Sequence, residues 1–293
     1  MGGNNSKARK KMRMGLPTEE SKVEKTKPQE PVNYLSIEDK FDTFKQVEMA
    51  LRKGGLEVCQ LIVGIDFTGS NKKQGGYPYY DHDNLHHVSK NADQNPYEQV
   101  LSIICKTLSG FDSDGWIDTY GFGDEKTEDK HVFPFCTVPD QFGGLQEAPC
   151  QRLEGVLQRY KEIASSVVLS GPTSFEPIIR KAVELVKERK SYHILLIICD
   201  GAVNSKEETI EAIVEASKYP LSIICIGVGK GPWGLMEHFD DEIEGRKFDN
   251  FQFVHFHGVA TGNFENMGAE FARRAMMEIP VQHEYIRKHM GVM

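Results

Sequence analysis

VGIDFTGSNKK, residues 63–73, decides the fold. It closes an apolar run, LEVCQLIVGID, that starts at Leu56 and stops abruptly at a carboxylate, Asp66. A continuous apolar run of this length reads as a strand buried on both faces, as in a parallel sheet. Two hydroxyls follow at alternate positions, Thr68 and Ser70. The stretch also approaches the phosphate-binding pattern G-x-x-x-x-G-K-[ST], with Gly64 and Gly69 in place. Ser70 then stands where the lysine belongs, Asn71 where the hydroxyl belongs, and Lys72 comes late. Asp66 would face phosphate with a like charge, so a nucleotide loop is disfavoured.

Working outward, apolar strands alternate with amphipathic helices. Before the stretch, SIEDKFDTFKQVEMALRKGG (36–55) has Phe41, Phe44, Val47 and Leu51 at helical spacing, opened by Ser36 and closed by Gly-Gly. After it, helices are expected in 95–111, 150–167, 174–190, 205–220 (capped by Ser205) and 263–290, the last broken at Pro280. Strands are expected in 116–124, 192–201, 221–229 and 248–256. This order implies an α/β, doubly wound, mostly parallel sheet with helices on both faces. In such folds ligands bind beyond the carboxyl ends of the strands. There the sequence places Asp66, Thr68 and Ser70, then Asp124, then Asp200-Gly201.

Oxygen donors of this kind suit a hard divalent cation such as magnesium. Asp66, Thr68 and Ser70 come from one loop, Thr173 from GPTSF and Asp200 from the end of LLIICD. Two structural alternatives stand beside this reading. Thr173 and Glu176 in TSFE fit a helix capping box, and Asp200 fits a cap on the turn that follows it. The cluster DHDNLHH (81–87) reads as an exposed polar loop, since His82 and His86 have no third ligand in register. His255 and His257 read as surface or structural groups.

The totals bound the rest. The chain has 293 residues, 39% of them hydrophobic, and a net charge of -8. That acidity argues against nucleic acid as a partner. The six cysteines, at 59, 105, 136, 150, 199 and 225, form no C-x-x-C pair, and no apolar run reaches the length of a membrane span. With no secretory signal, the expected setting is the cytoplasm and the cytoplasmic face of membranes, with the nucleus as an alternative. The expected organisation is a disordered basic tail over 1–35, one domain over 36–285, and a short tail over 286–293. MGGNNSKARKK fits M-G-x-x-x-[ST], so Gly2 is a candidate for N-myristoylation. Lys7, Arg9, Lys10, Lys11 and Arg13 would add attraction to anionic lipid. The same basic cluster also fits a solvated tail or a nuclear-localisation patch.

Taken together, DFTGSN (66–71), LHH (85–87), NPYEQVLSII (95–104), GFGDEKTEDKHVF (121–133), SGPTSFEPII (170–179), LSIICIGVGKGPWGLMEHFDD (221–241), FDNFQFV (248–254) and MEIPVQ (277–282) resemble the copine branch of von Willebrand factor A domains. The resemblance spans about residues 37–285 and is strongest to the copine-like domain of plant-type, myristoylated RING ubiquitin ligases. It implies a metal-ion-dependent adhesion site holding magnesium or manganese through Asp66, Thr68, Ser70, Thr173 and Asp200. A partner protein would complete the ion's shell with an Asp or Glu carboxylate. Two features of the family are missing from these residues: paired C2 domains ahead of the domain, and RING cysteine–histidine pairs behind it. Ubiquitin-ligase catalysis is therefore not expected of this chain by itself, and a part in the ubiquitination machinery is the alternative function.

Overall fold

The computed structural model describes residues 33–291, apart from 36, 38–40, 55, 57–58, 77–79, 92, 109–110, 112–113, 202 and 258–263. Gly2 and the basic cluster that follows it lie outside the described residues.

The strands are β1 (Gln60–Asp66), β2 (Trp116–Phe122), β3 (Val132–Pro134), β4 (Cys136–Pro139), β5 (Leu145–Ala148), β6 (Cys150–Gln151), β7 (His193–Cys199), β8 (Leu221–Gly227) and β9 (Phe251–His255). The helices are α1 (Phe44–Lys53), α2 (Pro96–Leu108), α3 (Arg152–Ala164), α4 (Glu176–Arg189), α5 (Lys206–Ala216), α6 (Gly234–Asp241), α7 (Phe264–Met276) and α8 (Ile279–Met290). The main sheet runs β3-β2-β1-β7-β8-β9, with β6 also on β2. Neighbours from β2 to β9 pair in parallel, while β3 and β6 lie antiparallel to β2. The chain winds outward from β1 to β2, then returns to the other side of β1 and winds through β7, β8 and β9. The winding reverses between β1 and β7, which makes that gap the switch point of a doubly wound fold.

The strands read as continuous apolar runs because each serves two cores. Leu61, Val63 and Ile65 of β1, with Ile194, Leu196 and Ile198 of β7, pack towards Val100, Leu101, Val156, Tyr160, Phe271 and Ile286. The alternate residues Ile62, Leu195, Ile197 and Cys199 pack towards Ile178, Ile179, Val183, Ile213 and Phe239. A strand with side chains alternating between two buried layers has no polar face to show. Gly64 sits at the tightest approach: a Cβ there would fall 2.6 Å from Cγ1 of Ile178, so α4 rides directly on β1.

Several local expectations change. α1 begins at Phe44, where Thr43 and Gln46 form a reciprocal capping box. The expected box of Thr173 and Glu176 does not form: the residue before α4 is Phe175, and the Glu176 amide donates to Oγ of Ser174 at 3.2 Å. Ser205 precedes α5 without a side-chain cap bond. The domain also exceeds its expected bounds. Tyr34 packs edge-on to Tyr285 at 5.2 Å, and α8 runs on to Met290 with Ile286 buried.

Candidate metal centre

Asp66 ends β1 and Asp200 directly follows β7, so the switch point brings both carboxylates to one edge of the sheet. Both are fully buried. Beyond Asp66 the chain turns at once: the Thr68 amide donates to Oδ1 of Asp66 at 2.8 Å, and residues Gly69–Lys73 form a 3-10 turn. That turn faces the hydroxyls of Thr68 and Ser70 towards each other at 3.0 Å. Thr68 is buried and Ser70 half-buried.

The segment that carries Thr173 towards α4 borders the same loop at Leu169 and Ser170. Backbone bridges join Thr68 to Ser170 and Asp124 to Leu169. The Gly69 amide donates to the Ser170 carbonyl, and Nζ of Lys72 donates to the Leu169 carbonyl at 3.1 Å. Lys72 is thus held on protein backbone, away from the role a phosphate loop would need. Asn204 then ties Thr173 to the loop after β7. Its Oδ1 accepts from the Thr173 amide at 2.9 Å, and its own amide donates to the Thr173 carbonyl at 2.9 Å. Gly201, at φ +94°, permits the turn after Asp200, and a Cβ there would collide with Trp233 at 2.5 Å.

The donor set fits a hard cation. Oδ2 of Asp66 is buried with no hydrogen-bond partner, a costly state for a carboxylate oxygen. Burial, reinforced by the charge of Asp200, pushes Asp66 up to about 8. Two buried like charges at the ends of adjacent strands leave a local deficit of positive charge, and among the described residues no lysine or arginine is paired with Asp66. A bound cation would reverse that balance and hold the carboxylates ionised. Asp124 contributes less than the sequence suggests: its Oδ1 accepts from the Thr127 amide at 3.0 Å and from the Thr127 hydroxyl.

A buried scaffold behind the loop was not foreseen. His86, expected in an exposed loop, is buried. Its Nε2 donates to the Asp66 carbonyl at 2.8 Å, and its Nδ1 lies 2.9 Å from the Tyr160 hydroxyl. Burial lowers the ring to about 3, so it is neutral and Nδ1 accepts the Tyr160 proton. Both ring nitrogens are engaged, which removes His86 as a metal ligand. The ring stacks between Phe67 at 4.7 Å and Tyr97 at 4.1 Å. Tyr97 donates to Oδ1 of Asn71 at 2.7 Å, and Nδ2 of Asn71 reaches the Thr68 carbonyl at 3.2 Å. His82 instead stacks on His87 at 3.6 Å, and His255 bonds the Gly229 carbonyl at 3.2 Å through Nε2. Among the described residues, no three of His, Cys, Asp and Glu gather as a metal cluster, and no helix is long and apolar enough to cross a membrane.

Known proteins can be set against this geometry. Copine family protein 2 of Caenorhabditis elegans is 46% identical over 253 residues, covering 86% of this chain and 3% of that protein. The E3 ubiquitin-protein ligase RGLG2 of Arabidopsis thaliana is 44% identical over 266 residues, covering 86% of this chain and 54% of the ligase. The chain therefore spans about half the length of that ligase. Among solved structures, manganese-loaded Plasmodium vivax TRAP protein aligns at 14% identity and a TM-score of 0.45, covering 74% of each chain, a likeness too distant to add to the strand order above. The copine family profile matches residues 84–292, from just before His86 to past the end of α8. With that match covering most of the chain, this chain belongs to the copine family.

Proposed function

We propose that the chain is a protein-binding module that works through a divalent cation, magnesium or manganese. The ion would be held by Asp66, Thr68, Ser70, Thr173 and Asp200. The observation that carries this reading is the partnerless, buried Oδ2 of Asp66 beside Asp200 at the switch point. The chain's contribution is to bury two carboxylates, bring the hydroxyls of Thr68 and Ser70 together in the turn after Asp66, and fix the neighbouring loops through Asn204 and His86. Two carboxylates and three neutral hydroxyls would balance the charge of a divalent ion and leave one of its roughly six oxygen positions open to a partner group. A carboxylate from a protein partner suits it. A tether to the cytoplasmic face of membranes through Gly2 and the basic cluster is part of the same proposal, supported by the sequence pattern of the tail.

The test is thermal unfolding with and without magnesium. At a cation concentration about 100 times the Kd, the site adds about 2.7 kcal/mol. EDTA removes the gain, and Asp66→Ala unfolds at one temperature in both conditions. Partner capture from cytosol follows the same pattern. Capture that persists in EDTA and in Asp66→Ala refutes the reading.

A second reading rests on the similarity to RGLG2, whose name records ubiquitin-ligase activity. Here it takes the form of a part in ubiquitin transfer alongside a separate catalytic module. Robust autoubiquitination by this chain with purified E1 and E2 enzymes would favour catalysis over binding.

A further inference from the structure

At the opposite edge of the sheet, near the amino ends of the central strands, lies a cavity of about 640 Å³. Gln60 and Trp116 line it from the main sheet, Ser191 from the turn before β7, and Cys136, Val138 and Ala148 from the β4–β5 ladder. In the wall, Sγ of Cys136 stands 2.6 Å from Sγ of Cys150. The topology explains the meeting. Cys136 pairs with Ala148 across the ladder, and Cys150 follows two residues later, where the strand period returns a side chain to the same side. Cys150 itself pairs with Ile117 on β2. The sulfur contact is thus the join between the small two-stranded sheet and the main one.

We propose that Cys136 and Cys150 form a reversible disulfide, with a low-molecular-weight disulfide such as oxidised glutathione as oxidant. Both are free thiols here. Cys136 is half-buried and lines the cavity, whereas Cys150 is buried. The order of steps follows from that difference. The Cys136 thiolate attacks one sulfur of the oxidant, forming a mixed disulfide and releasing one glutathione thiolate. The Cys150 thiolate then attacks Sγ of Cys136 and expels the second. Two protein thiols lose two electrons and two protons, and one glutathione disulfide becomes two glutathione thiols. The result fastens the hairpin that carries exposed Phe142 and Leu145 to the main sheet. Cys199 and Cys225 provide an internal comparison: they lie 3.7 Å apart, and both are wholly buried.

The test uses the full chain, incubated natively with oxidised glutathione, quenched by acid and alkylated before peptide mapping. A crosslinked peptide containing Cys136 and Cys150, released by dithiothreitol, is expected. Cys150→Ser is expected to retain a glutathione adduct on Cys136, because the second attack is lost. Full alkylation of both cysteines in the parent after oxidation overturns the proposal. So does an adduct that stays on Cys136 in the parent, or a crosslink that maps to Cys199 and Cys225. The parent measurement needs no variant to fold.

Discussion

Replacing His86 by phenylalanine tests whether the scaffold behind the ion loop holds it in place. The ring and its stacking on Phe67 and Tyr97 survive, while the contacts to the Asp66 carbonyl and the Tyr160 hydroxyl disappear. Neither group is stranded. The Tyr160 proton can pass to Oδ1 of Asn95 at 3.2 Å, and the Asp66 carbonyl keeps Tyr97 at 3.3 Å and Asn71 at 3.4 Å. The cost is therefore that of two ordinary hydrogen bonds, about 2 kcal/mol in all, without the larger penalty of abandoned buried groups. For a domain of this size, that lowers Tm by about 4–8 °C. The assay is calorimetry or urea unfolding in EDTA, so that cation binding does not contribute. Magnesium affinity, measured separately by titration calorimetry, falls by at most about 30-fold if the whole loss is felt at the loop. A variant melting within about 1 °C of the parent would show that these contacts do not restrain the loop.

Acid stability should report on His193. Its Nδ1 donates to the Ser191 carbonyl at 2.8 Å, its Nε2 is buried without a partner, and burial holds the ring below its ordinary value of 6.5. Below pH 6.5 the unfolded chain takes up a proton that the native state refuses, so stability is present above that pH and lost as pH falls. His193→Gln flattens this limb of the urea midpoint against pH, and an unchanged slope counts against the assignment. For the tail, Gly2→Ala should move the protein from the membrane to the soluble fraction of a cell lysate, and equal fractions for the two forms would rule out the lipid anchor.

The alternation of strands and helices was legible because the central strands feed two cores and therefore carry unbroken apolar runs. Asp66, Thr68 and Ser70 were legible because carboxylate and hydroxyls share one short turn. Thr173 and Asp200 could be named as further oxygen donors from their own loops, but nothing local in GPTSF or LLIICD says which strand lies beside β1. The β4–β5 ladder was missed for a physical reason: most of its side chains are exposed, so it has no apolar rhythm. His86 was misplaced because its neighbours, Asp81, Asp83 and Asn84, are polar and exposed or half-buried. The ring turns inward beside buried Leu85, and its partners lie 20 and 74 residues away in sequence. Asn204 was equally hidden, because its partner Thr173 lies 31 residues upstream.

The carbonyl of Asp66 has a consequence of its own. His86 comes to it from the long connection between β1 and α2, Tyr97 from the first turn of α2, and Asn71 from the loop that carries the hydroxyls. One backbone oxygen is thus where three separate stretches of chain agree on a position. Such stretches open and close together, because releasing one removes a restraint from the others. The residues from Asp66 to Tyr97 should therefore exchange their amide protons as one cooperative unit, and a cation seated in the loop would slow exchange as far away as α2.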